Sequence, residues 1–425
     1  MQLRPWNTRL TGRIRPPSDK SITHRGVLFS ALARGVSEVL DPLDSLDTGA
    51  SLAVVQNLGV KLIEKTARRW VLESPGYYDL QEPRAVIDCL NSGTTMRLST
   101  GLLAGTRFLT VLSGDESLRE RPMARVMDPL RALGVDIRGR QSGKAPLVIQ
   151  GGPHRGGASF LSVASAQVKS ALILAGLSAD DPLTIHEVLP TRDHTERLLR
   201  AMGASVEIQS DTIKVTPGPV SALTVTVPGD PSSAAYWAAL AVLLEGSQLV
   251  IEDVSLNAER IGFYRLLRNM GARVEFTMSQ EVPEPIGEIR IGWAPLKGVA
   301  VGADVVPGLI DELPLVALLG AHAEGTTVVS GAGELRVKET DRIRATTDNL
   351  RSLGIEIEER PDGFAVRGGQ RVHRGSVKAM GDHRIAMMLA VAGAVADGPI
   401  VIEGAEAIEI SYPEFFRDYW RFAGE

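Results

Sequence analysis

One pattern returns six times along the 425 residues and limits the possible folds more than any other feature. A polar start leads into a run of small and apolar residues, and the run closes on a glycine. The copies are PPSDKSITHRGVLFSALARG (to Gly35), NSGTTMRLSTGLLAG (to Gly105), SVASAQVKSALILAG (to Gly176), PGDPSSAAYWAALAVLLEG (to Gly246), GLIDELPLVALLGAHAEG (to Gly325) and MGDHRIAMMLAVAGAVADG (to Gly398). Their apolar residues cover nearly every face, so each predicts a buried helix. Helices commonly stop just before a glycine, so these glycines are expected as helix ends.

A second pattern alternates with the first. TGASLAVVQNLG closes at Gly59, RPMARVMDPLRALG at Gly134, TRDHTERLLRAMG at Gly203, NAERIGFYRLLRNMG at Gly271, KETDRIRATTDNLRSLG at Gly354 and SYPEFFRDYWRFAG at Gly424. Here the apolar residues fall at three-to-four spacing, which predicts a helix apolar on one side. Short apolar strands follow many of these segments. The chain therefore reads as α/β, with six units of about 70 residues, each a coating helix, a buried helix and strands. A solenoid is the rival architecture, but its repeats are usually shorter. The length favours two domains of three units each.

Composition removes several classes. Net charge is −5 and no long basic run occurs, which argues against nucleic acid as a partner. The single cysteine, Cys89, excludes an internal disulfide and a cysteine-based zinc site. The seven histidines lack ligand spacing, so no metal is expected. No P-loop or nucleophile elbow occurs. No apolar run reaches the length of a membrane span, and the first residues lack a signal-peptide core. A cytoplasmic monomer without cofactors is the expectation.

The chemistry gathers at helix starts. The buried helices begin Ser18-Asp19-Lys20-Ser21 with Arg25 beyond, Asn91-Ser92-Gly93-Thr94 with Arg97, Ser165-Ala166-Gln167 with Lys169, Asp230-Pro231-Ser232-Ser233, Asp311-Glu312, and Asp382-His383-Arg384. Ser, Thr, Asp and Asn are ordinary N-caps, which explains any one such start. Cations at four of the six starts need another reason, because they oppose the helix dipole unless an anion is bound. Arg119, Arg121 and Arg192 precede coating helices, as do Lys338, Glu339 and Arg342 within RVKETDR. If the buried helices of each domain point their starts one way, two domains facing each other would form an anion-binding cleft.

The segments PSDKSITHR, NSGTTMR, RPM, SAQVKS, RVKETDR and DHRIAM, in this order and spacing, closely resemble the 5-enolpyruvylshikimate-3-phosphate synthases from about Pro17 to Pro413. SAQVK and RDHTE resemble the class II branch. The resemblance implies transfer of the enolpyruvyl group of phosphoenolpyruvate to shikimate 3-phosphate with release of phosphate, in the shikimate pathway and as the target of glyphosate. It implies two similar domains, each of three βαβαββ units around buried helices (an inside-out α/β barrel of enolpyruvyl transferase type). Residues 1–17 plus 230–425 would form one domain and 18–229 the other, with the active site in the cleft between them.

Carried over residue by residue, Lys20, Ser21, Arg25, Ser165, Ala166, Gln167, Arg192, Asp311 and Lys338 would bind shikimate 3-phosphate. Lys20, Gly93, Arg121, Gln167, Arg342 and Arg384 would bind phosphoenolpyruvate. Asp311, Glu339, Lys338 and Lys20 would be catalytic. In RVKETDR, Arg336, Thr340 and Asp341 are expected only to cap, orient or solvate. Two departures stand out. The class I lysine before the C-terminal aromatic–Pro pair is missing, with Ile410 and Ser411 there instead. Ala166 replaces the second serine of the class I phosphate site. The rivals are the sister transferase acting on a UDP-sugar, and a non-catalytic anion-binding scaffold. The first usually needs a loop cysteine, absent after Gly114; the second would not need Asp311 and Glu339 among its cations.

Overall fold

The repeat becomes six small sheets and the helices that cover them. The structure is a computed structural model, and it describes residues 1–424. The chain divides into two compact units. The N unit is Ser18–Pro228 with Val282–Glu284, and the C unit is Met1–Pro17, Gly229–Glu281 and Pro285–Glu425. Relative to the expected partition, Gly229 falls in the C unit and the hairpin tip Val282–Glu284 in the N unit.

In the N unit the helices are α1 (Lys20–Phe29), α2 (Leu46–Asn57), α3 (Gly93–Leu102), α4 (Glu116–Glu120), α5 (Ala124–Ala132), α6 (Ala166–Gly176) and α7 (His194–Ala201). In the C unit they are α8 (Pro231–Leu243), α9 (Gly262–Asn269), α10 (Leu313–His322), α11 (Arg342–Ser352), α12 (His383–Val395) and α13 (Phe415–Ala423). The expected buried helices are α1, α3, α6, α8, α10 and α12, and their central residues are all buried. Each unit has its own apolar core. Close packing has left its mark at Gly101 of α3, where an added Cβ would stand 1.9 Å from the Ala171 carbonyl oxygen of α6. Only glycine permits that approach.

Five of the six sheets repeat one four-stranded topology, and the sixth has three strands. In the third, Gly157–Phe160 runs parallel to Leu183–His186, which pairs antiparallel with Thr212–Thr216, which pairs antiparallel with Ser205–Gln209. Leu183 and Ile185 are buried, opposite Val215 and Ile213, while Thr184 and His186 are half-buried, as a period of two requires. Distant segments complete some sheets. Thr224–Thr226 joins Gly35–Leu40 in the N unit. Gln2–Leu3 pairs with Ile400–Glu403, and Thr11–Ile14 with Gln248–Ser255, so the first residues are structural parts of the C unit.

The two helix classes end differently. α2, α5, α7, α9 and α11 are each followed by a left-handed glycine, at Gly59, Gly134, Gly203, Gly271 and Gly354. In each, the next residue (Val60, Val135, Ala204, Ala272, Ile355) donates to a carbonyl five residues back. This is the Schellman closure. Five of the six glycines of the buried class do not end their helices, contrary to the sequence expectation. α1 stops at Phe29, α3 at Leu102, α8 at Leu243, α10 at His322 and α12 at Val395, while α6 runs to Gly176 as its last residue. In these five the glycine lies beyond the helix, in the connection to the next strand or at its first position.

Candidate active site

Each unit carries part of the predicted site, at the starts of its buried helices. In the N unit Asp19 caps α1, accepting from the Ile22 amide at 2.9 Å. This leaves Lys20 and Ser21 half-buried on the first turn. Lys20 Nζ is 3.0 Å from Asp47 Oδ2. Arg25, one turn on, is buried and held by uncharged oxygens: Nε donates to Thr195 Oγ1 (2.7 Å), Nη2 to Ser170 Oγ (2.8 Å) and Nη1 to the Ser21 carbonyl (3.0 Å). Burial pulls its pKa down to about 10, against the nearby carboxylates of Glu196 and Asp19.

Ser92 caps α3 and places Gly93 at its first position. Arg97 Nη1 donates to Gln167 Oε1 (2.5 Å), and Gln167 Nε2 donates to Thr94 Oγ1 (2.9 Å). Arg121 Nη2 donates to Asn91 Oδ1. A Cβ on Gly93 would stand 3.1 Å from Arg97 Nη1 and 3.3 Å from Arg121 Nη1, so both guanidiniums border this helix end. Ser165 caps α6, and Ala166 and Gln167 open it, half-buried. Arg192 is half-buried in the loop before α7.

The C unit has a different composition at the same kind of place. Arg342, 1% exposed, spreads its donors over three carboxylates: Nε to Asp382 Oδ2 (2.7 Å), Nη1 to Asp311 Oδ1 (3.2 Å) and Nη2 to Glu339 Oε2 (2.6 Å). Arg384 Nε is 3.4 Å from the same Asp311 oxygen. Burial acts to lower both guanidiniums, but the facing carboxylates outweigh it and raise them. Lys338 is half-buried, and burial lowers its ammonium below the usual lysine range; Asp311 opposes that and Arg342 adds to it. The elements explain the gathering. Asp311 lies in a 3-10 turn just ahead of α10, Arg342 opens α11, and Asp382 caps α12 by accepting from the Arg384 amide (2.9 Å).

The bland residues of RVKETDR are occupied elsewhere. Arg336 pairs with Asp341 and Glu359 and donates to the Pro361 and Arg360 carbonyls. Asp341 caps α11 through the Arg344 amide. Two cations counted at helix starts are not anion-facing. Lys169 is 1% exposed and enclosed by Glu187 and Glu196, and Arg119 lies exposed on α4. Burial along α6, rather than its start, decides where Lys169 points.

Other groups are given no site role by the sequence. Asp47 faces Lys20, and Asp382 holds Arg342. Arg260 pairs with Asp230 at the start of α8. A hydrogen-bonded chain runs from His24 Nδ1 through Ser51 Oγ (2.7 Å) and Thr95 Oγ1 (2.8 Å) to Ser92 Oγ (2.7 Å). Burial pushes His24 down to about 3, so its ring is neutral. Of these, Ser92, Asp230 and Asp382 stand in the sequence as helix starts, and no local signal marks the rest. Among the described residues no group of metal-ligating side chains gathers, and no helix is long and apolar enough to cross a membrane.

Comparison with known proteins adds the chemistry's context. Residues 6–419 match the family model described as EPSP synthase (3-phosphoshikimate 1-carboxyvinyltransferase). A 3-phosphoshikimate 1-carboxyvinyltransferase of Thermus thermophilus is 47% identical over 418 residues, covering 97% of this chain and 96% of its own. That of Persephonella marina is 44% identical over 418 residues, with 96% of each chain covered. The EPSP synthase structure from Acinetobacter baumannii superposes with a TM-score of 0.88 at 37% identity, covering 99% of this chain and 97% of its own. The enolpyruvyl transferase NikO of Streptomyces tendae, at TM-score 0.80 and 19% identity, shares the fold.

Proposed function

The chain belongs to the EPSP synthase family, and from that membership we propose how its own side chains divide the reaction. It transfers the enolpyruvyl group of phosphoenolpyruvate to the 5-hydroxyl of shikimate 3-phosphate and releases phosphate, on the route to chorismate and the aromatic amino acids. Both substrates carry a carboxylate and a phosphate, so the site must supply several fixed cations. Arginine suits this because its paired donors fit both groups.

In the proposed division, Lys20, Ser21, Arg25, Ser165, Ala166, Gln167 and Arg192 take shikimate 3-phosphate, with Asp311 and Lys338 at its ring hydroxyls. Lys20, Gly93, Arg121, Gln167, Arg342 and Arg384 take phosphoenolpyruvate. The 5-hydroxyl oxygen attacks the enol carbon and gives its proton to Asp311, while the methylene carbon gains a proton. Glu339 and Lys338 are the groups for that transfer and for support of the departing phosphate. The carbon–phosphate-oxygen bond then breaks as a methyl proton is removed, which restores the double bond. Domains divided as the two compact units are, and a monomer working in the cytoplasm, complete the proposal.

The observation that carries this reading is the interleaving of Asp311 and Glu339 with Arg342 and Arg384. A site that only held anions would have no use for carboxylates among its cations. The test is incubation with phosphoenolpyruvate and shikimate 3-phosphate, following phosphate release and the enolpyruvyl product by mass. Phosphate release that does not require shikimate 3-phosphate would count against it.

A further inference from the structure

Lys169 lies within the first turns of α6, where its amide donates to the Ser165 carbonyl at 3.0 Å. Its ammonium donates to the Thr191 carbonyl (2.9 Å) and the Glu187 carboxylate (3.3 Å), and it stands in an ion pair with Glu196 Oε1 at 2.8 Å. Those partners bracket one stretch of chain, with Glu187 at its start, Glu196 in the first turn of α7 and Arg192 between them. Thr191 Oγ1 also donates to Glu187 Oε1 at 2.7 Å, so the loop is tied to itself as well as to the helix. The next residue of α6 adds a second tie. Ser170 Oγ lies 2.6 Å from Thr195 Oγ1, and both accept from Arg25.

Stability alone does not account for this arrangement. Well-packed apolar residues are often as stable as a buried ion triad or more so. The neighbours Val168, Ala171, Leu172 and Ile173 are apolar and fully packed, so a methionine would suit a core role at position 169. Burial raises the Glu196 carboxyl, and Lys169 is the main group opposing it.

We infer that Lys169 is a positioning residue, which clamps the Glu187–Glu196 loop so that Arg192 is presented beside the start of α6. This rests on the reading that Arg192 and the start of α6 take the phosphate of shikimate 3-phosphate. Lys169 is 1% exposed and turned toward Glu187 and Glu196, so it acts through Arg192 rather than on the phosphate.

The test compares Lys169→Met/Glu196→Gln with Arg192→Ala and with the triple variant. It measures melting temperature, affinity for shikimate 3-phosphate by calorimetry, and steady-state constants for both substrates. Removing one buried glutamate charge together with the lysine is expected to keep the fold. Affinity for shikimate 3-phosphate should fall about tenfold, while kcat and the KM for phosphoenolpyruvate change less than about threefold. In the Arg192→Ala background the pair should cost less than about twofold, because the clamp then holds nothing useful. If affinity matches wild type, Lys169 positions nothing and the inference is overturned; a lowered melting temperature would then mark it as only structural. If the costs simply add, Lys169 does not act through Arg192. If Arg192→Ala binds shikimate 3-phosphate normally, the underlying site reading falls and the clamp with it. Should the double variant fail to fold, Glu187→Gln keeps the Lys169–Glu196 pair, and it must show the same selective weakening or the inference is overturned.

Discussion

The two sets of helix starts use the same cation in opposite ways. In the N unit, Arg25 is steadied by two hydroxyls and a carbonyl, Arg97 reaches a glutamine and Arg121 an asparagine. Uncharged partners of this kind aim a guanidinium, and in the same unit the carboxylate of Asp47 faces Lys20. In the C unit, Arg342 faces three carboxylates and Arg384 shares one of them. There the charges cancel locally, and groups that can exchange protons stand among the cations. The contrast suggests holding in one unit and proton transfer in the other.

The strongest way to break that contrast is Asp311→Asn, which keeps an acceptor for Arg342 and Arg384 but removes the proposed base. General acid–base groups are worth about 10²–10⁴ in rate, so kcat should fall by that order with KM for both substrates little changed. Stopped-assay kinetics at saturating substrates check this. A kcat within about threefold of wild type would remove Asp311 from the proton chemistry.

The next effect is on stability. Arg342→Met leaves Asp382, which is wholly buried, and Asp311 without their central cation. Breaking a buried pair by deleting one partner costs about 3–5 kcal/mol. Urea denaturation should show it as a lower midpoint. A loss below about 1 kcal/mol would mean that solvent reaches the cluster and that the charges are not locally cancelled.

A third test turns to the buried histidine of the N unit. His24 is held down to about 3, against an ordinary value of 6.5, chiefly by burial. Between those values the unfolded chain binds the proton and the folded one does not. The stability that His24 contributes is therefore complete above pH 6.5 and is lost as pH falls toward 3. The slope approaches about 1.4 kcal/mol per pH unit. His24→Gln should remove this part, so the melting-temperature difference between wild type and variant should shrink from pH 7 to pH 5. A constant difference would show that His24 is charged in the folded protein.

How much of this was legible in the sequence depended on distance along the chain. The coating helices and their Schellman glycines are local features, and Gly59, Gly134, Gly203, Gly271 and Gly354 stand where the pattern put them. The buried helices were equally plain from composition, but their ends were not, since five of the six stop before the glycine. RVKETDR displayed Lys338, Glu339 and Arg342 within one turn. Its partners Asp311 and Asp382 are 31 and 40 residues from Arg342, and no local pattern ties them to it. Lys169 was misjudged for the same reason: its position in α6 suggested an anion, and the carboxylates that enclose it come from another element. His24 carries no local signal, because Ser51 and Thr95 reach it only after folding.

The smallest effect sharpens the contrast at one atom. Gly93 sits at the first position of α3, and a Cβ there would press on Arg97 Nη1 and Arg121 Nη1 at 3.1 and 3.3 Å. Both atoms are the far ends of flexible side chains, so Gly93→Ala should fold normally. The guanidiniums must yield by a few tenths of an ångström, which loosens their hydrogen bonds to Gln167 and Asn91. If uncharged partners serve to aim these charges, the cost should fall on anion binding alone. The KM for phosphoenolpyruvate should rise about three- to tenfold, with kcat and melting temperature nearly unchanged, since uniform binding is lost and no transition-state contact is. A rise confined to shikimate 3-phosphate would assign this helix end to the other substrate. A fall in kcat would show that the N unit does more than hold.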